Sequence, residues 1–333
     1  MRRLIPAIML LPLVILTLSS CKSDEPTANP ITVEVTVPVI ETRVVVETRE
    51  VQSTVVVTAT PVPTPAYISK NNAPEGTLAY PLDSEPGTLD PQQTLDESAA
   101  LVVQQLYEGL FTMREDGTIA PAAATKYDVS DDGLTYTVTL RSGLTWSDGE
   151  PLVAQQYVDG VCRVLDPRVG NHYFYLLSDV VQIVGAKEYA TGESTDCAKI
   201  GVKAPDDTTL TISLREPASY LSEILAFRTF LPIRQETVAS QTPKWDDASV
   251  FVGNGPYVLN QWSHDNYISL TKNTSYWDAD AVAINRIILK IVPDPAEQYA
   301  LYRRGELLVA SFPADQTVQI QTEAGIRDEL QIL

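Results

Sequence analysis

The chain has 333 residues, of which 44% are hydrophobic and 20% are charged, and 43 acidic side chains against 24 basic ones give a net charge of −19. Such a composition is typical of a globular protein. The acidic balance argues against a nucleic-acid partner, because phosphates demand lysine and arginine, and against electrostatic attachment to an anionic membrane.

Histidine and cysteine are scarce in this sequence. His172 and His264 are the two histidines and have no obvious partners, and three cysteines are too few for a metal site with recognisable spacing. We therefore predict no metal ligand, no cofactor and no catalytic residue, and we do not expect an enzyme.

The first twenty residues have the pattern of a targeting signal. Arg2 and Arg3 precede an apolar run over residues 4–18 that is too short for a transmembrane helix. Leu18-Ser19-Ser20-Cys21 then resembles the lipobox of bacterial lipoproteins, which implies cleavage before Cys21 and lipidation of its sulfur. An ordinary secretory signal with an incidental cysteine is the alternative.

Residues 21–75 are dominated by Val, Thr, Glu and Pro. Alternating Val and Thr can form a strand, but no surrounding hydrophobic set would bury one face of it, and prolines interrupt the segment. We predict a mostly extended tether. At roughly 3 Å per residue it would hold the following domain on the order of 100 Å from a bilayer.

The most regular pattern of the globular part lies at residues 134–140. Leu134, Tyr136, Val138 and Leu140 alternate with Thr residues, which predicts a strand with one apolar face and one solvated face. Asp132-Gly133 marks the turn before it. The same reasoning predicts further strands at 77–80, 255–262, 267–272 and 284–292, a hairpin at 200–214, and helices at 98–107, 154–165, 220–227 and 296–304. Ser98 is predicted to cap the first of these helices, because its hydroxyl can accept a hydrogen bond from a free amide of the first turn. Because strands and helices interleave without a strict βαβ repeat, we expect a mixed α/β architecture.

Several blocks of this sequence, taken in order, resemble one known family. They are Glu85-Pro86-Gly87-Thr88-Leu89-Asp90-Pro91, Leu106-Tyr107-Glu108-Gly109-Leu110, Asp116-Gly117-Thr118-Ile119-Ala120-Pro121, Trp146-Ser147-Asp148-Gly149 with the strand before it, Gly253-Asn254-Gly255-Pro256-Tyr257, Lys272-Asn273-Thr274-Ser275-Tyr276-Trp277 and Leu301-Tyr302-Arg303-Arg304-Gly305-Glu306. Over residues 76–333 the chain resembles family 5 of the extracytoplasmic solute-binding proteins, the oligopeptide- and dipeptide-binding proteins of ABC transporters.

The resemblance implies an α/β fold: a periplasmic-binding-protein-like (class II) lobe with an attached smaller α/β domain. The first lobe would comprise residues 76–110 and 233–333, and the smaller accessory domain residues 111–232. The second lobe of the family, with its acidic anchor for the amino terminus of a peptide, is expected to be missing. Whether the chain is a fragment or a natural truncation is left open.

The implied function is that of a monomeric lipoprotein outside the cell membrane, which captures oligo- or dipeptides and delivers them to the permease subunits of an ABC transporter. Two alternatives stay open. One is a sensory or scaffold lipoprotein of the same fold, and the other is a receptor for a non-peptide solute such as nickel, an oligosaccharide or an opine.

The resemblance also points to ligand-binding residues in the half of the fold that this chain would contain: Thr94, Asp96, Glu97, Tyr173, Tyr175, Asn254 and Tyr257. In such proteins main-chain hydrogen bonds hold the ligand, and two lobes close over it around a hinge.

Each of these assignments has a plain structural alternative. Asp96 and Glu97 can meet a cationic group of the ligand or can be solvated loop residues. Asn254 offers a donor and an acceptor, and it also suits a simple turn. Tyr173 and Tyr175 can contact a ligand or pack in the core.

Two further features depend on single positions. Where the family has a Thr or Ser cap and an Asp at the start of the helix at 154–165, this chain has Val153 and Gln156, which predicts a loss of roughly 1 kcal/mol. Cys162 and Cys197 remain as an even pair once Cys21 is lipidated, and an oxidising compartment favours a disulfide over two buried thiols.

Overall fold

The computed structural model describes residues 76–114, 116–238 and 247–322. The predicted signal peptide, the lipidation site Cys21 and the tether at 21–75 lie outside these ranges. All described residues belong to one compact unit. None of the helices in these ranges has both the length and the apolar character required to span a bilayer.

The described residues form ten strands and seven α-helices. The strands are β1 (Thr77–Leu82), β2 (Phe111–Met113), β3 (Ile119–Pro121), β4 (Ala124–Val129), β5 (Thr135–Leu140), β6 (Val202–Asp206), β7 (Thr209–Ser213), β8 (Tyr257–Ser263), β9 (Tyr267–Lys272) and β10 (Arg286–Ile291). The helices are α1 (Glu97–Leu106), α2 (Ala154–Leu165), α3 (Ala186–Ala190), α4 (Leu221–Leu225), α5 (Gln235–Val238), α6 (Pro295–Arg303) and α7 (Thr317–Thr322).

One sheet has the strand order β1-β10-β9-β8. Strand β1 pairs with β10 in parallel, and the other neighbours are antiparallel. Ile287, Ile288 and Leu289 of β10 are all buried, so both faces of this strand are covered. This burial explains why β10 is a continuous apolar run rather than an alternating one.

The other four-stranded sheet has the order β4-β5-β7-β6 and is antiparallel throughout. The strand predicted at 134–140 is confirmed as β5: Tyr136, Val138 and Leu140 are buried, while the Thr residues between them are partly exposed. Helix α2 packs on β6 and β7 through a buried apolar face that includes Val161 and Leu165.

The turn after β5 joins the elements of the two sheets. Trp146 is buried, the Ser147 amide donates to the Gly253 carbonyl at 2.8 Å, and the Gly253 amide donates to Ser147 Oγ at 3.2 Å. Thr145 Oγ1 donates to the Ser275 carbonyl at 3.0 Å. The segment is therefore a structural connection, as its sequence indicates.

Two helices depart from their predicted form. Helix α1 is capped by Asp96 rather than by a serine, because Ser98 lies buried inside the helix and its Oγ accepts from the Ser84 amide at 3.2 Å. The helix predicted at 220–227 ends at Leu225, and a 3₁₀ turn over Arg228–Phe230 follows it.

At the start of α2 a glutamine side chain partly replaces the usual N-cap residue. Val153 occupies the N-cap position and its side chain carries no acceptor. Gln156 Oε1 instead accepts from the Val153 amide at 3.0 Å and from Trp146 Nε1 at 3.1 Å. Half of a capping box is thus present, which partly offsets the expected loss.

Restoring the missing acceptor should stabilise the chain. In Val153→Thr the side chain keeps its branched shape and gains a hydroxyl for a free amide of the first turn, so the free energy of unfolding should rise by about 0.5–1 kcal/mol in urea denaturation. Gln156→Ala is the matched variant and should lower it. An unchanged midpoint in Val153→Thr would show that the first turn does not need the acceptor.

Cys162 of α2 and Cys197 are joined by a disulfide, with their Cα atoms 5.9 Å apart. Cys197 opens a 3₁₀ turn, Cys197–Lys199, that leads into β6. The bridge ties the helix to the segment before that strand and closes a loop between positions 35 residues apart.

Removing this bridge should destabilise the chain by roughly 3–4 kcal/mol, as the chain-entropy model predicts for a loop of this size. The comparison is between the oxidised protein and the Cys162→Ala/Cys197→Ala variant in urea, with reduced wild type separating the loss of the cross-link from the loss of side-chain volume. Alkylation of both cysteines in denatured, unreduced protein would contradict the prediction.

Candidate functional site

The loop before α1 carries the first group of predicted ligand residues. Asp96 Oδ1 accepts from the Ala99 amide at 2.7 Å, and Oδ2 accepts from the Gly87 amide at 3.3 Å. Its carboxylate therefore caps α1 and fixes the preceding turn. Glu97 is exposed at the first position of the helix, where the amide groups of the first turn favour a negative charge.

Thr94 is buried, and its hydroxyl donates to the Asp90 carbonyl at 2.7 Å. The Asp90 carboxylate accepts two hydrogen bonds from the Arg163 guanidinium, at 2.6 and 2.5 Å, and the Arg163 group also donates to Gln92 Oε1 at 2.9 Å. The two charged side chains are 4% and 20% exposed. Because a buried charge left without its partner is strongly unfavourable, this pair holds the loop against α2.

Asn171 connects this loop to the aromatic segment at 173–175. Its Nδ2 donates to the Gln92 carbonyl at 2.5 Å, and its Oδ1 accepts from the Tyr173 amide at 2.7 Å. Gln93 Nε2 also donates to the Val169 carbonyl at 3.0 Å. The structure thus brings two of the predicted ligand-binding segments side by side.

The aromatic segment presents an open surface beside this loop. Phe174 and Tyr175 are 39% and 45% exposed. The Tyr173 ring packs edge-on against Phe227, with centroids 5.2 Å apart, and the Arg228 guanidinium lies 4.4 Å from the Tyr173 ring. Exposed aromatic rings beside a cation offer both apolar contact and polar anchoring to a ligand.

Asn254 and Tyr257 occupy a different environment, with their polar groups already bonded inside the chain. Asn254 Nδ2 donates to the Glu108 carbonyl at 2.8 Å and Oδ1 accepts from the Glu108 amide at 3.1 Å. The Tyr257 hydroxyl donates to the Ile284 carbonyl at 3.0 Å, and burial raises its pKa. Their role toward a ligand stays a prediction.

The glycines of the same turn explain why the motif needs them. A Cβ added to Gly255 would lie 2.6 Å from the Leu106 carbonyl carbon, and a Cβ added to Gly253 would collide with the Leu106 carbonyl oxygen. The Gly255 amide donates to that oxygen at 2.9 Å. The turn therefore packs directly on the end of α1.

Glu108 is a residue whose role sequence reasoning missed. Its carboxylate accepts from the Tyr276 hydroxyl and, at 2.6 Å, from Trp277 Nε1. The Arg141 guanidinium lies 3.6 Å from the Trp277 ring centroid. Burial raises the pKa of Glu108, although the hydrogen bonds from Tyr276 and Trp277 and the charge of Arg141 act in the opposite direction. The signal was present, because three of the family-like blocks meet here.

Truncating the Glu108 side chain should destabilise the fold. Glu108→Ala leaves the Tyr276 hydroxyl and the Trp277 indole N–H without their acceptor, so we expect a loss of about 2–4 kcal/mol in urea denaturation. Glu108→Gln can keep one acceptor and should lose less.

The same residue predicts a pH dependence of stability. Because the pKa of Glu108 is higher in the folded state than its ordinary value of 4.5, the folded state binds this proton more tightly. Its stabilising contribution is therefore complete below about pH 4.5 and is lost as the pH rises through the raised pKa. Glu108→Gln should lack this step, and Glu97→Gln, at the exposed end of α1, should keep it. Parallel pH profiles for wild type and Glu108→Gln would contradict the assignment.

Two linked sheets with an open aromatic surface have the architecture of a periplasmic-binding-protein lobe with a smaller α/β part. In the described ranges no three His, Cys, Asp or Glu side chains are arranged to hold a metal ion. The family model "Bacterial extracellular solute-binding proteins, family 5 Middle" matches residues 118–331, and the chain belongs to this family. Its members are extracytoplasmic binding proteins rather than enzymes.

Three relatives place the chain within the family. It is 34% identical to the probable deoxycholate-binding periplasmic protein YgiS of Escherichia coli over 78% of this chain and 48% of that protein. It is 34% identical to the oligopeptide-binding protein OppA of Bacillus subtilis over 74% of this chain and 45% of OppA. The structure of Haemophilus influenzae OppA in complex with RPPGFSPFR matches with a TM-score of 0.71 at 28% identity, covering 75% of this chain and 49% of that one. The chain spans about half the length of the relatives it matches.

Proposed function

We propose that this chain acts as a peptide-binding lipoprotein of an ABC transporter. It would capture oligo- or dipeptides outside the membrane for import. The observation that carries the proposal is membership of family 5 together with relatives that are peptide-binding proteins by name. The joined loops at 90–97 and 169–175, with their exposed aromatic rings, supply a surface suited to a peptide.

The proposed domain division is a lobe from residues 76–110 and 233–333 and an accessory domain from 111–232. Support comes from the sheets, since β1 and β8 to β10 all fall in the first set of ranges and β2 to β7 fall in the second. The Asp90–Arg163 pair and the Ser147–Gly253 hydrogen bonds cross between these ranges.

The remaining parts of the proposal rest on the sequence. Cys21 would carry the lipid anchor, the tether at 21–75 would hold the binding domain away from the membrane, and a monomer would deliver its ligand to the permease subunits. A non-peptide solute is the second candidate, and it is favoured by the name of the 34% identical relative YgiS, a probable deoxycholate-binding protein.

Calorimetric titration tests the proposal. Purified chain should bind tri- to pentapeptides in a saturable manner, and Tyr175→Ala should weaken binding by about tenfold through the loss of a large contact surface. Tyr127→Ala is the matched control, because Tyr127 is also an exposed tyrosine, at 36% against 45%, but lies on β4. Its affinity should equal that of wild type.

Saturable binding of deoxycholate without binding of peptides would replace the peptide proposal by the second candidate. Absence of saturable binding to either would favour the sensory or scaffold alternative.

A further inference from the structure

Arg228 stands out among the basic residues that the structure describes. It opens the 3₁₀ turn after α4, and its guanidinium carbon lies 4.4 Å from the Tyr173 ring and 4.9 Å from the Phe227 ring. The residue is half-buried, and its guanidinium lies against both rings, which also contact each other. It therefore sits in an aromatic setting next to the segment at 173–175.

The guanidinium has no carboxylate partner among the described residues. Arg163, Arg215 and Arg234 each pair with an acidic side chain. Among the residues that the structure describes, Arg228 pairs with no acidic side chain. Its Nε atom is buried and makes no hydrogen bond within the described ranges. Leaving such a buried donor unpaired is unfavourable, so Arg228 carries an unsatisfied N–H group beside the Tyr173 ring.

Thr229, the next residue, also has a buried polar atom without a hydrogen-bond partner in the part of the chain that the structure describes. The Thr229 side chain is buried, and its Oγ1 likewise has no hydrogen-bond partner among the described residues. Two consecutive residues thus hold buried polar atoms without partners. Native proteins satisfy most such groups, and the exceptions call for an explanation such as a bound ligand or water.

The stacking of Arg228 defines what it can bind. An aromatic face over a guanidinium leaves the N–H groups in its plane available for hydrogen bonds. In Arg228 the Nε is buried, so the two terminal NH2 groups would form the fork that matches the two oxygens of a carboxylate. The partly buried rings of Tyr173 and Phe227 lie against this guanidinium and lower its contact with water on that side. In a protein with a net charge of −19, a carboxylate ligand needs such a local cation.

We propose that Arg228, stacked on Tyr173 and Phe227, binds a carboxylate group of the ligand. The inference rests on the proposed peptide-binding function and makes it more specific. The carboxylate belongs either to the C-terminus of the peptide or to an acidic side chain, since both present the same group to the guanidinium.

Four tetrapeptides separate the two sources. Tetra-alanine as the free acid and as the amide tests the C-terminus, and Ala-Ala-Glu-Ala-amide against Ala-Ala-Gln-Ala-amide tests the side chain. Calorimetry with wild type should show one pair differing by about tenfold in Kd, as expected for a hydrogen bond to a charged group. Arg228→Gln should bring that ratio close to one.

Two variants make the comparison specific. Arg228→Lys keeps the charge without the planar fork and should retain part of the ratio. Arg168→Gln is the matched control, because Arg168 is 85% exposed and pairs locally with Asp166, and it should leave the ratio unchanged. Circular dichroism of each variant checks that the fold is retained.

The outcomes separate this inference from the function on which it rests. If wild type binds all four peptides with equal affinity, or if Arg228→Gln preserves the wild-type ratio, the peptide-binding function stands and the role of Arg228 is refuted. If wild type binds none of the four, the peptide-binding function fails for this chain and the inference fails with it.

Discussion

The structure depends on a half-buried carboxylate, that of Glu108, just after the end of α1. The Glu108 side chain accepts hydrogen bonds from Tyr276 and Trp277, and its main chain bonds to Asn254, so one residue holds two segments that are distant in sequence. Burial of a carboxylate is unfavourable unless its oxygens are bonded. The segments after α1 and after β9 are therefore constrained together, because separating them would leave the carboxylate without its two donors. The segment before β8 is held to the same residue through its main chain.

At the opposite end of α1 a second carboxylate links segments that are distant in sequence. Asp90 and Arg163 form a buried pair that links the loop before the helix to α2, and Asn171 extends this link to Tyr173. In both places a carboxylate accepts hydrogen bonds from residues that are far away in the sequence. The surface that we propose for ligand binding is built on this second connection, so the position of its aromatic rings depends on the Asp90–Arg163 salt bridge.

Local patterns predicted much of the fold. The alternation that gives β5, the apolar face of α2 and the hairpin of β8 and β9 are each determined by neighbouring residues, and all three are confirmed. The predicted cap of α1 was wrong, because Asp96 and Ser98 are both suitable caps and only the packing of Ser98 against Ser84 decides between them. The role of Glu108 was missed because its side-chain partners lie 168 and 169 positions away, and only the fold brings their family-like blocks together. That no described carboxylate lies beside Arg228 is equally a property of the folded chain.

The parallel pairing of β1 with β10 has a consequence for the order in which the chain can assemble. Thr77 pairs with Arg286, so β1 cannot enter its sheet until more than two hundred further residues have been synthesised. Strands β4 to β7 pair as antiparallel neighbours over a shorter stretch, and their contacts close smaller loops. During synthesis β1 therefore has no partner strand while the middle of the chain folds. It pairs later with β10, one of the last strands to emerge.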